Sequence, residues 1–291
     1  MRLSREWAGY ILGLIGVIIF AGTLPATRLA VAALDPWFVT FGRAAGAGLA
    51  AALVLIVLRR PWPGARERKY LFLSAPNIVF SFPALVGFAM QTVPAAHGGV
   101  VLGILPLLTA AFGALWNKTR LPRAFWGLSL VAAAVVIAYS LRDGIGHAGM
   151  GDLLLFVAAL CAAAGYLFSA EAGRTMPGWE VICWICVFCL PITLPLTYVF
   201  APPAIGTVPL TSWAGFAYVA LFSQFIGFFA WNAGLVMGGI AAVSQIQYLQ
   251  TFFTIAFAAI INRETIGWET LAVAGLVVGL LLLGRRVLTR G

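Results

Sequence analysis

Apolar residues run along this chain in long blocks, broken by single polar or small residues and separated by short polar turns. Ten such blocks can be read, at about residues 9–33, 36–58, 70–91, 95–116, 123–141, 152–173, 179–200, 212–236, 240–261 and 266–284. Each approaches or exceeds the roughly 20 apolar residues that one helical crossing of a bilayer core requires. Pro25, Pro76, Pro83, Pro106, Pro191 and Pro195 lie inside blocks. A helix bundle tolerates this where neighbouring groups re-satisfy the freed backbone. The pattern predicts an all-α membrane protein with ten transmembrane helices. The first block follows MRLSREW and could pass for a leader. At about 25 residues it exceeds a signal core of roughly 7–15, so it is read as helix 1.

Composition agrees: 62% of the 291 residues are hydrophobic and 9% charged, with mean hydropathy +1.01. A net charge of +9 is a feature of nucleic-acid binders too, but its distribution points elsewhere. With a cytoplasmic N-terminus, ten crossings return the C-terminus to the cytoplasm. Arg2, Arg5, Arg59, Arg60, Arg66, Arg68, Lys69, Lys118, Arg120, Arg123, Arg174, Arg285, Arg286 and Arg290 then all lie inside, 14 of 18 basic residues. Arg142 and Arg263 alone remain in outside loops, and Arg28 and Arg43 fall within helices. That asymmetry is the positive-inside rule at work. The partners expected are a lipid bilayer and a small-molecule substrate, not nucleic acid. A monomer is compatible with the pattern, and the oligomeric state stays open.

Cys161 lies in helix 6, and Cys183, Cys186 and Cys189 lie in helix 7 as C-x-x-C-x-x-C. On a continuous helix that spacing forms a stripe, with no nearby histidine or aspartate to complete a metal site. Packing between helices is the expected role, and no cofactor is expected.

The chain also repeats itself. LTAAFGALWNKTRL (108–121) aligns with FTIAFAAIINRETI (253–266) at an offset of 145, matching Thr109 with Thr254, Asn117 with Asn262 and Lys118 with Arg263. Two five-helix halves follow, about 1–145 and 146–291. Because five is odd, the second half enters the membrane in the opposite sense, the inverted repeat of many secondary transporters, whose sites lie near the midplane between repeats.

The order of these pieces resembles the EamA-type transporters of the drug/metabolite transporter (DMT) superfamily over essentially the whole chain. Helix 2 reads DPWFVTFGRAAGAGLAAALVL, with an acid/proline start and Arg43 two turns in. Arg28 stands near the outer end of helix 1, where relatives often carry lysine. Helices 8 and 9 are similar to the family's final repeat, which pairs a mid-helix proline with a glutamate thirteen residues on. Here each half keeps one of the two: Pro106 with Thr119, and Thr251 with Glu264. Within the superfamily, helices 3, 4, 8 and 9 are most similar to amino-acid exporters, including those for aromatic amino acids. The resemblance implies alternating access through a cavity between the halves, with helices 5 and 10 peripheral, in a bacterial inner (cytoplasmic) membrane.

Polar side chains in such a bundle usually face its interior or a wet cavity. Helix 9 is richest, with Ser244, Gln245, Gln247, Tyr248, Gln250, Thr251 and Thr254. Interhelical hydrogen bonding would account for some of them, but the polar arc is wider than one packing seam, which favours a cavity wall. Helix 8 offers Ser223 and Gln224, continued by Phe228 and Trp231; helix 3 offers Ser74, Asn77 and Ser81; helix 6 offers Tyr166 and Ser169. Aromatic rings beside amides and hydroxyls suit either packing or a ligand with an apolar body and polar ends. The candidate lining residues are therefore Asn77, Ser81, His97, Tyr166, Gln224, Trp231, Gln247, Tyr248, Gln250 and Thr251, with Arg28 and Arg43 as intramembrane charges. His97, at the outer start of helix 4, fits a capping group. Asp35 lies near both arginines, so an ion pair with snorkelling to the outer surface is the simpler account of them; attraction of a substrate carboxylate is the other.

The nine acids, Glu6, Asp35, Glu67, Asp143, Asp152, Glu171, Glu180, Glu264 and Glu269, all sit at helix ends or loops. This argues against a mid-membrane proton carrier and against the clustered acids or nucleophile–base set of an intramembrane enzyme. Transport not tightly coupled to protons is expected. Glu264 is expected to cap or tether helix ends. A phosphorylated or nucleotide-linked cargo is the alternative. It calls for paired cations deep in the cavity, and Arg28 and Arg43 are the available candidates.

Overall fold

A computed structural model describes residues 2–118, 122–141, 149–238 and 244–290. Every element among them is helical. Seven helices are long and apolar enough to cross a membrane: α1 (Arg5–Val31), α2 (Pro36–Val57), α3 (Ala65–Ala89), α4 (Ala95–Trp116), α6 (Met150–Ala172), α7 (Gly178–Val199) and α8 (Leu210–Gly234). Three further helices, with shorter apolar stretches, complete the ten blocks: α5 (Arg123–Leu141), α9 (Ser244–Leu249 continued by Gln250–Ile261) and α10 (Trp268–Arg290). The expected boundaries are met within a few residues, the larger shifts being at the start of α3, Ala65, and the end of α10, Arg290. Thr119, Arg120, Arg142 and Asp143 lie outside the described residues.

Local chemistry sets the helix ends. Asp35 precedes Pro36, and its Oδ1 accepts from the amides of Trp37 at 2.7 Å and Phe38 at 3.4 Å, an N-cap with proline at the first helical position. Asp35→Ala is expected to lower stability by about 1 kcal/mol, and Asp35→Asn to leave it nearly unchanged. Thermal unfolding in detergent reads the difference. Inside α4, Leu102–Ile104 tightens to a 3-10 turn; Pro106, one turn on, has no N–H for the Leu102 carbonyl. The start of α9, Ser244–Leu249, is also 3-10, although Thr251 stands where α4 has its proline. Residues Pro76–Ser81 of α3 and Tyr218–Ile226 of α8 are wound as π-helix. Helices α4 and α9 end alike. Asn117 and Asn262 donate their amides to the carbonyls of Gly113 and Ala258, and Lys118 and Arg263 follow at φ 54° and 56°.

The helices associate in an ordered set of pairs. Helix α2 lies along α7, α1 along α8, α3 along α6, α4 against α9, and α5 against α10. One apolar cluster gathers α1, α4, α6 and their neighbours around Leu24, Leu34, Val86, Met90 and Leu155. The second packs α2, α3 and α7 around Leu71, Val79, Ile182 and Ile185. Cys183, Cys186 and Cys189 are buried in this second cluster, which gives them the packing role expected of them. Leu53, Ile56, Leu130, Ile137 and Ile260 are each more than half exposed, so the outer wall offers lipid an apolar surface.

Close approach depends on small residues. A Cβ on Gly215 of α8 would lie 2.4 Å from the Ala26 carbonyl oxygen and 2.9 Å from the Ala30 amide of α1. A Cβ on Gly99 of α4 would meet Thr254 of α9 at 2.8 Å. Small-residue contacts of this kind let membrane helices pack backbone to backbone.

Candidate functional site

Around the middle of the bundle, α1, α2, α3, α4, α6, α8 and α9 leave a cavity of about 900 Å³, counted with its open mouth. Its wall alternates aromatic and polar groups: Phe20 and Thr23 from α1, Phe82 from α3, Tyr166 from α6, and Ser223, Gln224 and Phe228 from α8. Helix α9 adds Gln247, Tyr248, Gln250, Thr251 and Thr254, and α4 faces it with Leu102, Gly103, Leu105 and Pro106. These α4 positions match 247, 248, 250 and 251 at the offset of 145. The tightened turns of α4 and α9 and the π-helical stretches of α3 and α8 all contribute to this wall. Such departures from α geometry are frequent where a helix serves a site.

Seven of the sequence-derived candidates meet here: Tyr166, Gln224, Gln247, Tyr248, Gln250, Thr251 and Arg43. Asn77, Ser81, Trp231, His97 and Arg28 lie outside the lining. Asn77 returns its amide to the Leu73 carbonyl at 3.0 Å. Trp231 stands behind Phe20, ring to ring at 6.5 Å. The side chains of Ser244 and Gln245 lie outside the described residues. Thr23 lines the cavity and was not a candidate. Its signal was a hydroxyl within the apolar run of helix 1. Val278 places α10 on the cavity wall too, so that helix is not wholly peripheral.

Arg43 departs from the simpler expectation. Asp35 is occupied with its own helix N-terminus, and among the described residues no ion pair joins it to Arg43 or Arg28. Arg43 is 3% exposed and does not snorkel. Its Nη2 donates to Ser223 Oγ at 3.1 Å, and that hydroxyl shares a hydrogen bond of 2.8 Å with Thr23 Oγ1. Its Nε is buried without a partner.

One end of the bundle is held by a polar network. Glu264, in the α9–α10 turn, accepts from the amides of Ala95 at 2.7 Å and Ala96 at 2.9 Å, at the N-terminus of α4. The same carboxylate pairs with Arg28 at 3.5 Å, and Arg28 also donates to the Val93 carbonyl. A carboxylate at a helix N-terminus satisfies free amides and meets the positive end of the dipole. This is the capping, tethering role expected of Glu264. Beside it His97 pairs with Asp152 at 2.7 Å and stacks on Tyr139, which bonds Thr270 at 2.9 Å. Below the network, Asn262 donates to the Pro25 carbonyl and Thr254 to the Ala21 carbonyl, so α9 is stitched to α1. The opposite end carries different ties: Arg60 with Glu180, Arg174 with Glu171 at 2.9 Å, and Asn232 with the Gly178 carbonyl.

Comparison with known proteins gives a consistent picture. The EamA-like transporter family matches twice, over residues 7–140 and 149–285. An uncharacterized transporter, YdeK, of Bacillus subtilis is 40% identical over 284 residues, 98% of this chain and 99% of that protein. An aromatic amino acid exporter, YddG, of Ancylobacter novellus is 25% identical over 256 residues, 84% of this chain and 85% of its own. A solved structure with 18% identity superposes with a TM-score of 0.63, covering 98% of this chain and 97% of that one, a likeness of fold.

Proposed function

The chain belongs to the EamA-like transporter family, and from that premise we propose that it is a secondary carrier exporting small zwitterionic metabolites, aromatic amino acids among them. The observation that carries the reading is the cavity: aromatic faces from Phe20, Phe82, Tyr166, Tyr248 and Phe228 surround amides and hydroxyls from Gln224, Gln247, Gln250, Ser223 and Thr251. An amino acid with an apolar side chain asks for that combination. The similarity to an exporter named for aromatic amino acids points the same way.

Transport is by alternating access between two inverted five-helix repeats, about 1–145 and 146–291. Several features support the duplication. The family matches each half, and the π-helical stretches, 3-10 turns and left-handed helix ends recur at corresponding positions. The helix pairs α1–α8 and α3–α6 exchange under such a repeat, while α2–α7, α4–α9 and α5–α10 map onto themselves. The Glu264 network closes one gate. Under the positive-inside assignment, with both termini in the cytoplasm of a bacterium, that gate faces outward.

Among the described residues no acid lines the cavity, which supports transport driven by the cargo's own gradient. Proteoliposomes of the purified protein are expected to take up labelled phenylalanine or tryptophan down a gradient, with little response to an imposed pH difference. No uptake of any amino acid removes the cargo reading; strong uptake driven by a pH gradient alone removes the uncoupled one.

A further inference from the structure

We infer that Arg43 is the carboxylate anchor of the cavity, and that the cavity recognises the cargo's carboxylate and leaves its amine dispensable. The inference rests on the proposed cavity being the transport site and goes further by naming the group it selects.

A guanidinium taken out of water needs an anion or a full set of acceptors. Arg43 has one hydroxyl, from Ser223, and its Nε has no partner although it is buried. Its neighbouring titratable groups are Tyr166 and Cys186, neither of which is ordinarily anionic at neutral pH. The acids described nearest the bundle's ends are already engaged, Glu264 with Arg28 and Glu180 with Arg60. The side chain is on the cavity wall. The missing counter-charge therefore has one direction from which to arrive, the cavity itself. A carboxylate there would meet a planar fork of donors, the arrangement that favours arginine for this group.

The same census applies to the other end of a zwitterion. An ammonium in the cavity finds amide and hydroxyl oxygens and aromatic faces, but among the described lining residues no carboxylate. Among its described lining residues the cavity carries one positive charge and no negative one. A monocarboxylate with an apolar body complements it as well as an amino acid does. An amine or an ester does not. Ser223 and Thr23 are positioning residues that fix the guanidinium through the hydroxyl pair.

The test is a concentration-dependent thermal shift of the purified full-length protein with four probes: phenylalanine, 3-phenylpropionate, phenylalanine methyl ester and phenethylamine. Phenylalanine and 3-phenylpropionate are expected to stabilise it, the latter at equal or lower concentration, while the ester and amine do little. Arg43→Gln is expected to raise the apparent Kd of 3-phenylpropionate roughly tenfold or more, and Arg43→Lys to recover part of that loss. Stabilisation by the ester or amine equal to that by the acids overturns the inference. So does failure of 3-phenylpropionate to bind, or unchanged binding in Arg43→Gln. The wild-type panel decides even if Arg43→Gln does not fold. Binding of 3-phenylpropionate without amino-acid uptake by proteoliposomes removes the proposed cargo and leaves the carboxylate anchor standing. Phenylalanine uptake with equal binding of the amine does the reverse.

Discussion

Replacing Glu264 by alanine is expected to open the bundle at that end. The substitution removes an ion pair with Arg28 and strands the amides of Ala95 and Ala96 at the start of α4. The carboxylate is 12% exposed, so its interactions are only partly screened. Loss of a partly buried carboxylate that accepts two helix N-terminal amides costs about 3 kcal/mol, since a hydrogen bond to a charged group contributes about 1.5–3 kcal/mol. Because the contact joins the α9–α10 turn to α1 and α4, that loss falls on the closed arrangement of this end. A shift of that size changes the ratio of closed to open forms by roughly a hundredfold. A cysteine introduced at Leu24, on the cavity wall, should then react with a membrane-impermeant maleimide from the Glu264 side at least tenfold faster. Glu264→Gln, which keeps an acceptor oxygen but loses the charge, should fall between. An unchanged labelling rate in Glu264→Ala would mean that the network is a static clasp.

A valine at Gly215 is expected to disrupt the α1–α8 seam severely. The added atoms would meet backbone, the carbonyl of Ala26 and the amide of Ala30, and backbone inside a helix cannot swing aside as a side chain can. Overpacking of this kind costs about 3 kcal/mol or more, enough to lose folded protein from a detergent extract. Gly113 of α4 is the control, since a Cβ there meets nothing within 4 Å. Gly113→Ala should express and elute as wild type, and can gain a few tenths of a kcal/mol from helix propensity. Equal yields of Gly215→Val and wild type in fluorescence-detected size exclusion would refute the packing argument.

Much of this architecture was legible in the chain. Ten apolar blocks are ten helices because a bilayer admits few other solutions for a backbone without water. The polar arc of helix 9 was legible for the same reason: Gln247, Gln250 and Thr251 had to face something other than lipid, and they do. The ion pair and snorkelling expected of Arg43 are absent among the described residues; sequence shows charge and spacing but not prior engagement. Asp35 lies two turns away, yet its carboxylate is held by the amides of its own helix. Asn77 and Ser81 were chosen by residue type. Which way they turn depends on the π-helical stretch from Pro76 to Ser81, which breaks the 3.6-residue phase that assigns faces. Thr23 was missed because its importance lies in a contact with Ser223, 200 residues away.

The lack of acids in the described wall of the cavity also bears on the electrical behaviour of the transport cycle. In the proposed cycle without proton coupling, the charge that crosses would be set largely by the cargo. A zwitterion would cross silently, indifferent to membrane voltage. A monocarboxylate anion would be expelled by an inside-negative potential, at about 2.3 kcal/mol per 100 mV, a bias of roughly fiftyfold. Voltage alone would then give a reversible carrier its outward direction.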